Sequence, residues 1–331
     1  MRNYSNLLNP KLFDQDLESK PTRQGYGEGL LELGETNRNV VVLTGDLAES
    51  TRALEFAKKY PDRFFECGVA EQNMTGIAAG LAAAGKIPFI SSYAVFSPGR
   101  AWDQVRVSVC YSNLPVKIAG AHTGVSVGPD GATHQALEDI AITRCLPNMT
   151  VVVPCDAIET KKCTLAAAAR PGPVYFRFAR EKTPVVSLKE TPFEIGKAEI
   201  FAEYGCDVAI VACGPLVYQS LIAAKELDGE GIKVTVVNNH TVKPMDGETV
   251  IKVAGDCGAV VTVEEHQVMG GMGSAVAEVL AQNYPVPMEF VGMQNTFGES
   301  GQPEELLEKY GMSVKSIKEA VKKVMTRKKS S

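Results

Sequence analysis

Short apolar runs alternating with helix-patterned stretches constrain this chain more than anything else in it. Strand-like runs VVVLTG (40–45), PFISSY (88–93), VKIAGA (116–121), TVVVP (150–154) and VYFRF (174–178) are separated by helical patterns at 22–37, 70–84, 99–111, 135–143 and 156–169. Strands rich in Val and Ile, with a helix between each pair, predict a mainly parallel sheet covered on both faces. Residues 181–206 break the rhythm with two prolines and mixed charges, and read as a linker ending in a short edge strand. The alternation resumes with DVAIVACG, IKVTVVNN, AVVTVEE and a strand at 287–291, with helices near 215–229, 246–256, 271–282, 303–310 and 313–325. The expected fold class is α/β: two domains with mainly parallel sheets, 1–188 and 198–325, a linker at 189–197 and a tail at 326–331.

A length of 331 residues suits two such domains. With 45% hydrophobic and 22% charged residues, disorder and coiled coil are excluded. A net charge of −5 gives no basis for a general nucleic-acid binder, and the basic C-terminal VKKVMTRKK reads as a solvated helix end or a frayed tail. No apolar run nears the roughly 18 residues that span a bilayer, and the first residues lack the pattern of a secretory signal. Eight cysteines without a CxxC pair read as reduced core thiols of a cytoplasmic protein, with no metal site expected.

Doubly wound sheets bind ligands beyond the carboxyl ends of their strands, and in the first domain the polar residues gather there. Asp46 and Ser50 follow VVVLTG, Glu71 follows FFECG, and Tyr93 ends PFISSY, followed by Phe96 and Arg100. His122 follows VKIAGA and opens a Gly-rich loop that holds Asp130 and His134, and Arg180 closes VYFRF. Two of the chain's four histidines in one flexible strand-end loop favour function, whereas His240 and His266 read as structural. Imidazoles, a carboxylate and arginines suit hydroxylated or phosphorylated substrates. Glu71 opens a helix whose face carries Gly76, Gly80 and several alanines. It is either a first-turn carboxylate favoured by the helix dipole or an acid trapped at a dry interface with a sheet or a second chain. Neither a GxGxxG that opens a helix nor a GxxxxGK[ST] loop occurs, so no diphosphate cradle is expected in this chain.

The stretches PTRQGYGEGL (21–30), LTGDLAEST (43–51), CGVAEQNM (67–74), GVSVGPDGATHQALEDIA (124–141), LPNMTVVVPCD (146–156) and NTFGESGQPEELLEKYG (295–311) together resemble the second half of transketolase, in order and spacing. The resemblance implies a pyrimidine-binding domain followed by a mainly structural C-terminal domain. It implies thiamine diphosphate as cofactor, with Mg²⁺ (or Ca²⁺) held by a separate N-terminal subunit that carries GDG…N. Two copies of each chain would form an α2β2 assembly with shared sites. Glu71 then matches the glutamate on the aminopyrimidine nitrogen; its carboxyl must share a proton there against the helix dipole, and it is expected to become buried only when the partner chain is present. Phe96 and Tyr93 match rings that stack on the pyrimidine, or are plain core residues. Asp46 matches the aspartate near the thiazolium. His122, Asp130 and His134 match contacts to the sugar hydroxyls and carbonyl. Arg23, Ser50, Arg180 and His134 match the distal phosphate site; salt bridges for the arginines and helix capping for Ser50 are the plainer alternatives.

The implied activity is reversible transfer of a two-carbon ketol unit from a ketose (phosphate) to an aldose (phosphate). The β subunit of a 2-oxoacid dehydrogenase decarboxylating component is the runner-up. The FSPGRAWDQV segment is also similar to deoxyxylulose-phosphate synthase, but His122 stands where that family has arginine. A non-catalytic regulatory subunit is the reading from another class.

Overall fold

Burial on both faces shapes the first sheet. Val40–Thr44, Lys117–Ala121 and Val174–Phe178 are buried at every position, as central parallel strands must be. The computed structural model describes residues 4–328. It orders this sheet as Thr241–Lys243, Thr150–Val152, Val174–Phe178, Lys117–Ala121, Ile87–Tyr93, Val40–Thr44 and Phe64–Glu66. All neighbours run parallel except Thr241–Lys243, which is antiparallel to Thr150–Val152. From Val40–Thr44 the chain winds first to Phe64–Glu66 on one side and then to Ile87–Tyr93 on the other. The carboxyl ends of Val40–Thr44 and Ile87–Tyr93 therefore flank the switch point, where such sheets open a crevice.

The second sheet runs Met288–Met293, Val260–Gln267, Val208–Ala212, Val234–Asn238 and Glu199–Glu203, parallel but for its antiparallel edge Glu199–Glu203. That edge is the short strand expected at the end of the linker. Ser19–Pro21 pairs with Lys182–Pro184 in a two-stranded ribbon that the prolines of both segments hid from sequence reading.

The expected division at 188/198 is crossed twice. Leu8 and Leu12 pack in the core of the second sheet, with Ser5 N–H donating to the Phe201 carbonyl at 2.9 Å. In the other direction, Thr241–Lys243 leaves the second half to extend the first sheet. Both excursions bury apolar residues that neither half covers alone, and one core cluster runs from Val41 and Ile90 through to Val211 and Met272.

Three helix limits differ from expectation. The 135–143 helix begins at Asp139, because the Ala136 carbonyl accepts from Gly124 N–H and the Gln135 side chain donates to the Val125 carbonyl. The 99–111 helix begins at Trp102 and widens to π-helical turns over Val105–Tyr111. A tight turn precedes it, in which a Cβ at Gly99 would sit 2.1 Å from the Val95 carbonyl. The last helix, Val314–Lys328, runs into the expected tail; residues 329–331 and 1–3 lie outside the described residues. Among the described residues no helix is long and apolar enough to cross a membrane. All eight cysteines are unpaired, five of them buried.

Candidate active site

Glu71 is the first residue of the helix Glu71–Ala83 and is only 1% exposed. Its carboxylate is held from two sides: Ser92 Oγ donates to Oε1 at 3.0 Å, and Arg100 Nη1 donates to Oε2 at 2.8 Å. A Cβ on Gly45 would approach Oε1 at 3.7 Å, so the turn after Val40–Thr44 also lies against it. Burial therefore does not await a second chain, contrary to expectation. The turn that follows Ile87–Tyr93 folds back and lays the half-exposed Arg100 over the carboxylate within this chain.

Beside Glu71 stands a wall of rings. Tyr93 and Phe96 lie near-parallel with centroids 6.2 Å apart, and His134 meets both edge-on at 5.9 and 5.5 Å. His122 packs on Tyr93 at 4.1 Å, and the Arg100 guanidinium carbon sits 4.5 Å from the Phe96 centroid. Tyr93 and Phe96 are both partly exposed; Tyr93 also packs against the core cluster of Tyr26, Phe89 and Phe178, so the core alternative stands beside the site role for it, whereas Phe96 belongs to no core cluster among the described residues.

His122 is buried, at φ +55°, with Nε2 3.4 Å from Arg23 Nη1. A guanidinium only donates, so Nε2 accepts and the ring proton resides on Nδ1, which is buried without a partner. Burial, then the Arg23 and Arg180 guanidiniums and His134, push the His122 pKa down to about 3. The imidazole is neutral across the physiological range, with an unused N–H.

At the far end of the wall the arginines converge. Arg23 Nη1 donates to the Ser50 carbonyl at 2.9 Å, while its Nε is buried without a partner. Burial, followed by the Arg52 and Arg180 charges, lowers the Arg23 pKa. A cation held near two others and incompletely bonded is suited to an anion. Arg180 pairs with Asp130 at 2.9 Å and donates to the Val127 carbonyl at 3.2 Å, so the salt-bridge alternative holds for Arg180, and its partner is itself a predicted site residue.

The fold thus unites Glu71, Tyr93, Phe96, His122, His134 and Arg23, and joins Arg180 to Asp130. Ser50 joins only through its carbonyl, and it caps no helix, the next one starting after Ala53. Asp46 stays apart. It is exposed, at φ +61°, with its N–H donating to Glu66 Oε1 at 2.7 Å and its carboxylate unbonded among the described residues. Sequence reading assigned no role to Ser92, Arg52 or Arg100. Arg100 alone left a signal, as a cation four residues beyond Phe96 in a Pro-Gly turn.

The comparisons bear on this arrangement. Residues 18–185 match the family model "Transketolase, pyrimidine binding domain", and residues 196–317 match "Transketolase, C-terminal domain". The fold is that of a two-domain α/β protein carrying the pyrimidine-binding and C-terminal modules. The chain belongs to the transketolase family. It is 46% identical to a putative transketolase C-terminal section of Methanocaldococcus jannaschii, over 92% of this chain and 96% of that protein. It is 42% identical to the 6-deoxy-6-sulfo-D-fructose transketolase subunit SqwH of Clostridium sp. (strain MSTE9), over 96% of this chain and 98% of that protein. A solved structure described as a split gene transketolase, inactive beta4 tetramer, superposes with a TM-score of 0.87 at 49% identity. It covers 93% of this chain and 99% of that one.

Proposed function

We propose that this chain is the pyrimidine-facing half of a split transketolase. With a separate chain that carries the diphosphate site, it transfers a two-carbon ketol unit between a ketose (phosphate) and an aldose (phosphate). The observation that carries the reading is Glu71: a carboxylate buried at a helix start, beside two aromatic rings and two imidazoles, at the switch point of a doubly wound sheet.

These residues fit thiamine diphosphate. Two partly exposed aromatic rings are at hand for a pyrimidine, that of Phe96 once Arg100 moves off its face, with a carboxylate for its ring nitrogen, and buried polar atoms at His122 Nδ1 and Arg23 Nε lack partners. When bound, the cofactor supplies the electron sink for the two-carbon carbanion. Glu71 would hold the aminopyrimidine nitrogen through a shared proton, with Arg100 giving up one carboxylate oxygen. Tyr93 and Phe96 would hold the pyrimidine ring, and Asp46, which lies apart from them in this chain, would come to the thiazolium side only in the assembled site. His122 stays neutral and donates its Nδ1 proton to a substrate oxygen. His134 and Asp130 bind sugar hydroxyls. Arg23, with Arg180, Ser50 and His134, takes the distal phosphate.

In this reading the diphosphate and Mg²⁺ (or Ca²⁺) are held by the N-terminal partner, in an α2β2 assembly. The boundaries 1–188 and 198–325 mark the two modules, and a cytoplasmic setting suits eight unpaired cysteines.

The test is ketol transfer with thiamine diphosphate and Mg²⁺, by this chain alone and by this chain co-purified with a GDG…N chain. Activity only in the mixture supports the reading. Activity of the chain alone removes the shared site, and pyruvate decarboxylation by the mixture replaces transketolase with the dehydrogenase β subunit.

A further inference from the structure

The loop that carries His122, Asp130 and His134 is anchored from the C-terminal half of the chain. Glu265, at the end of the second sheet's strand Val260–Gln267, is 5% exposed and reaches into the first half. Its Oε1 accepts from the Ser126 N–H at 2.6 Å, just inside the loop. The carboxylate also lies against the loop's first glycine: a Cβ at Gly124, where φ is +83°, would stand 2.1 Å from Oε1.

The other end of the loop is tied to the same place. The Ala136 carbonyl accepts from Gly124 N–H at 2.9 Å, which closes the base, and from Arg177 Nη2 at 3.2 Å. Arg177 Nη1 donates to the Glu265 carbonyl, also at 3.2 Å, and its Nε lies 3.0 Å from Asp139. Gln135 Nε2 bridges the Val125 and Glu299 carbonyls at 3.1 and 2.9 Å. A Cβ at Gly131 would meet Ser300 Oγ at 2.6 Å, so the loop's middle rests on the same C-terminal segment. The other half thus holds the entry through Glu265 and the exit through the Glu299 carbonyl, while the middle rests on Ser300, and Arg177 of the first half ties the exit to the Glu265 backbone.

We propose that Glu265, through Ser126 and with Arg177, is a positioning residue: an interdomain latch by which the C-terminal half sets the geometry of the substrate loop. It touches no reacting atom. The proposal rests on the ketol-transfer reading for its kinetic consequence, though not for its structural one.

The test uses hydrogen exchange of the intact chain together with kinetics of the co-purified pair. In Glu265→Ala, amides of residues 124–131 exchange at least about tenfold faster, the loss of one strong hydrogen bond. Those of Val208–Ala212 and Val234–Asn238 stay as slow as in the parent chain. In the pair, kcat/KM for the ketose falls about tenfold while thiamine diphosphate affinity is unchanged. Glu265→Gln keeps an acceptor for the Ser126 N–H and restores most of both. Gly124→Ala, which displaces the loop with Glu265 intact, reproduces the local exchange if Glu265→Ala fails to fold. Loop exchange like that of the parent in both disruptive variants overturns the latch, as does a uniform rise across the second sheet. Local exchange that shifts while the parent pair transfers no ketol unit leaves the latch standing and removes the catalytic reading.

Discussion

Arg100 Nη1 lies 2.8 Å from Glu71 Oε2, and the same guanidinium covers the face of Phe96. One half-exposed side chain thus neutralises the buried acid and lies over the ring beside it. For Glu71 to reach a pyrimidine nitrogen, Arg100 must give up one carboxylate oxygen, while Ser92 keeps the other in place. If Glu71 has the role proposed, Glu71→Ala removes the proton-sharing group, and kcat of the assembled enzyme is expected to fall by at least about 10²-fold. A continuous ketol-transfer assay of the co-purified pair checks this; a variant with normal, pH-independent turnover removes Glu71 from the chemistry.

Arg100→Met leaves the Glu71 carboxylate with Ser92 as its single side-chain partner. The chain is expected to lose about 1 kcal/mol, the modest value reflecting a guanidinium that is 47% exposed. Urea unfolding of parent and variant measures it, and an unchanged midpoint would show that water replaces the guanidinium without loss.

Arg23 Nε is buried without a partner, which suits the phosphate-binding role proposed for it. Arg23→Ala should raise KM for a phosphorylated sugar about 10- to 100-fold, the loss of a charge-assisted contact. KM for an unphosphorylated hydroxyaldehyde should hardly move. Equal losses for both would place the phosphate elsewhere.

His240 is fully buried, stacks on Phe193 at 4.4 Å, and is pushed down to about pKa 4 by burial. Its folded pKa lies below that of the unfolded chain, near 6.5. Between those values the unfolded state binds more protons, so acid favours unfolding. His240→Phe removes this contribution and should gain on the parent by about 1.4 kcal/mol for each pH unit below 6.5, down to pH 4. Paired denaturant titrations at pH 7, 6 and 5 show it, and a constant difference would mean that the imidazole titrates normally.

What was readable in the sequence follows from how local each cause is. Val40–Thr44 and Val174–Phe178 announce themselves, because burial on both faces demands unbroken β-branched or aromatic runs. The strand-end residues Tyr93, Phe96, His122 and His134 were found because sheet topology alone puts them together. Thr241–Lys243 was not, since three residues between a buried histidine and a proline become a strand only when Thr150–Val152 offers its edge. The early burial of Glu71 was missed for a similar reason: its cover, Arg100, comes from 29 residues away. The Glu265 contact spans 139 residues and joins two sheets, so no local pattern encodes it.

The strand Thr241–Lys243 also determines how this protein can be dissected. A chain ended at the linker would not yield a free-standing pyrimidine module. It would strip the first sheet of its last strand and bare the outer edge of Thr150–Val152, a row of unpaired amides and carbonyls flanked by apolar side chains. Such an edge recruits other copies of itself. Modular ancestry therefore does not mean separable parts here: the cut that respects the family boundary bares the edge of Thr150–Val152, and one placed after Lys243 keeps that edge paired but takes Val260–Gln267 away from Val208–Ala212 in the second sheet.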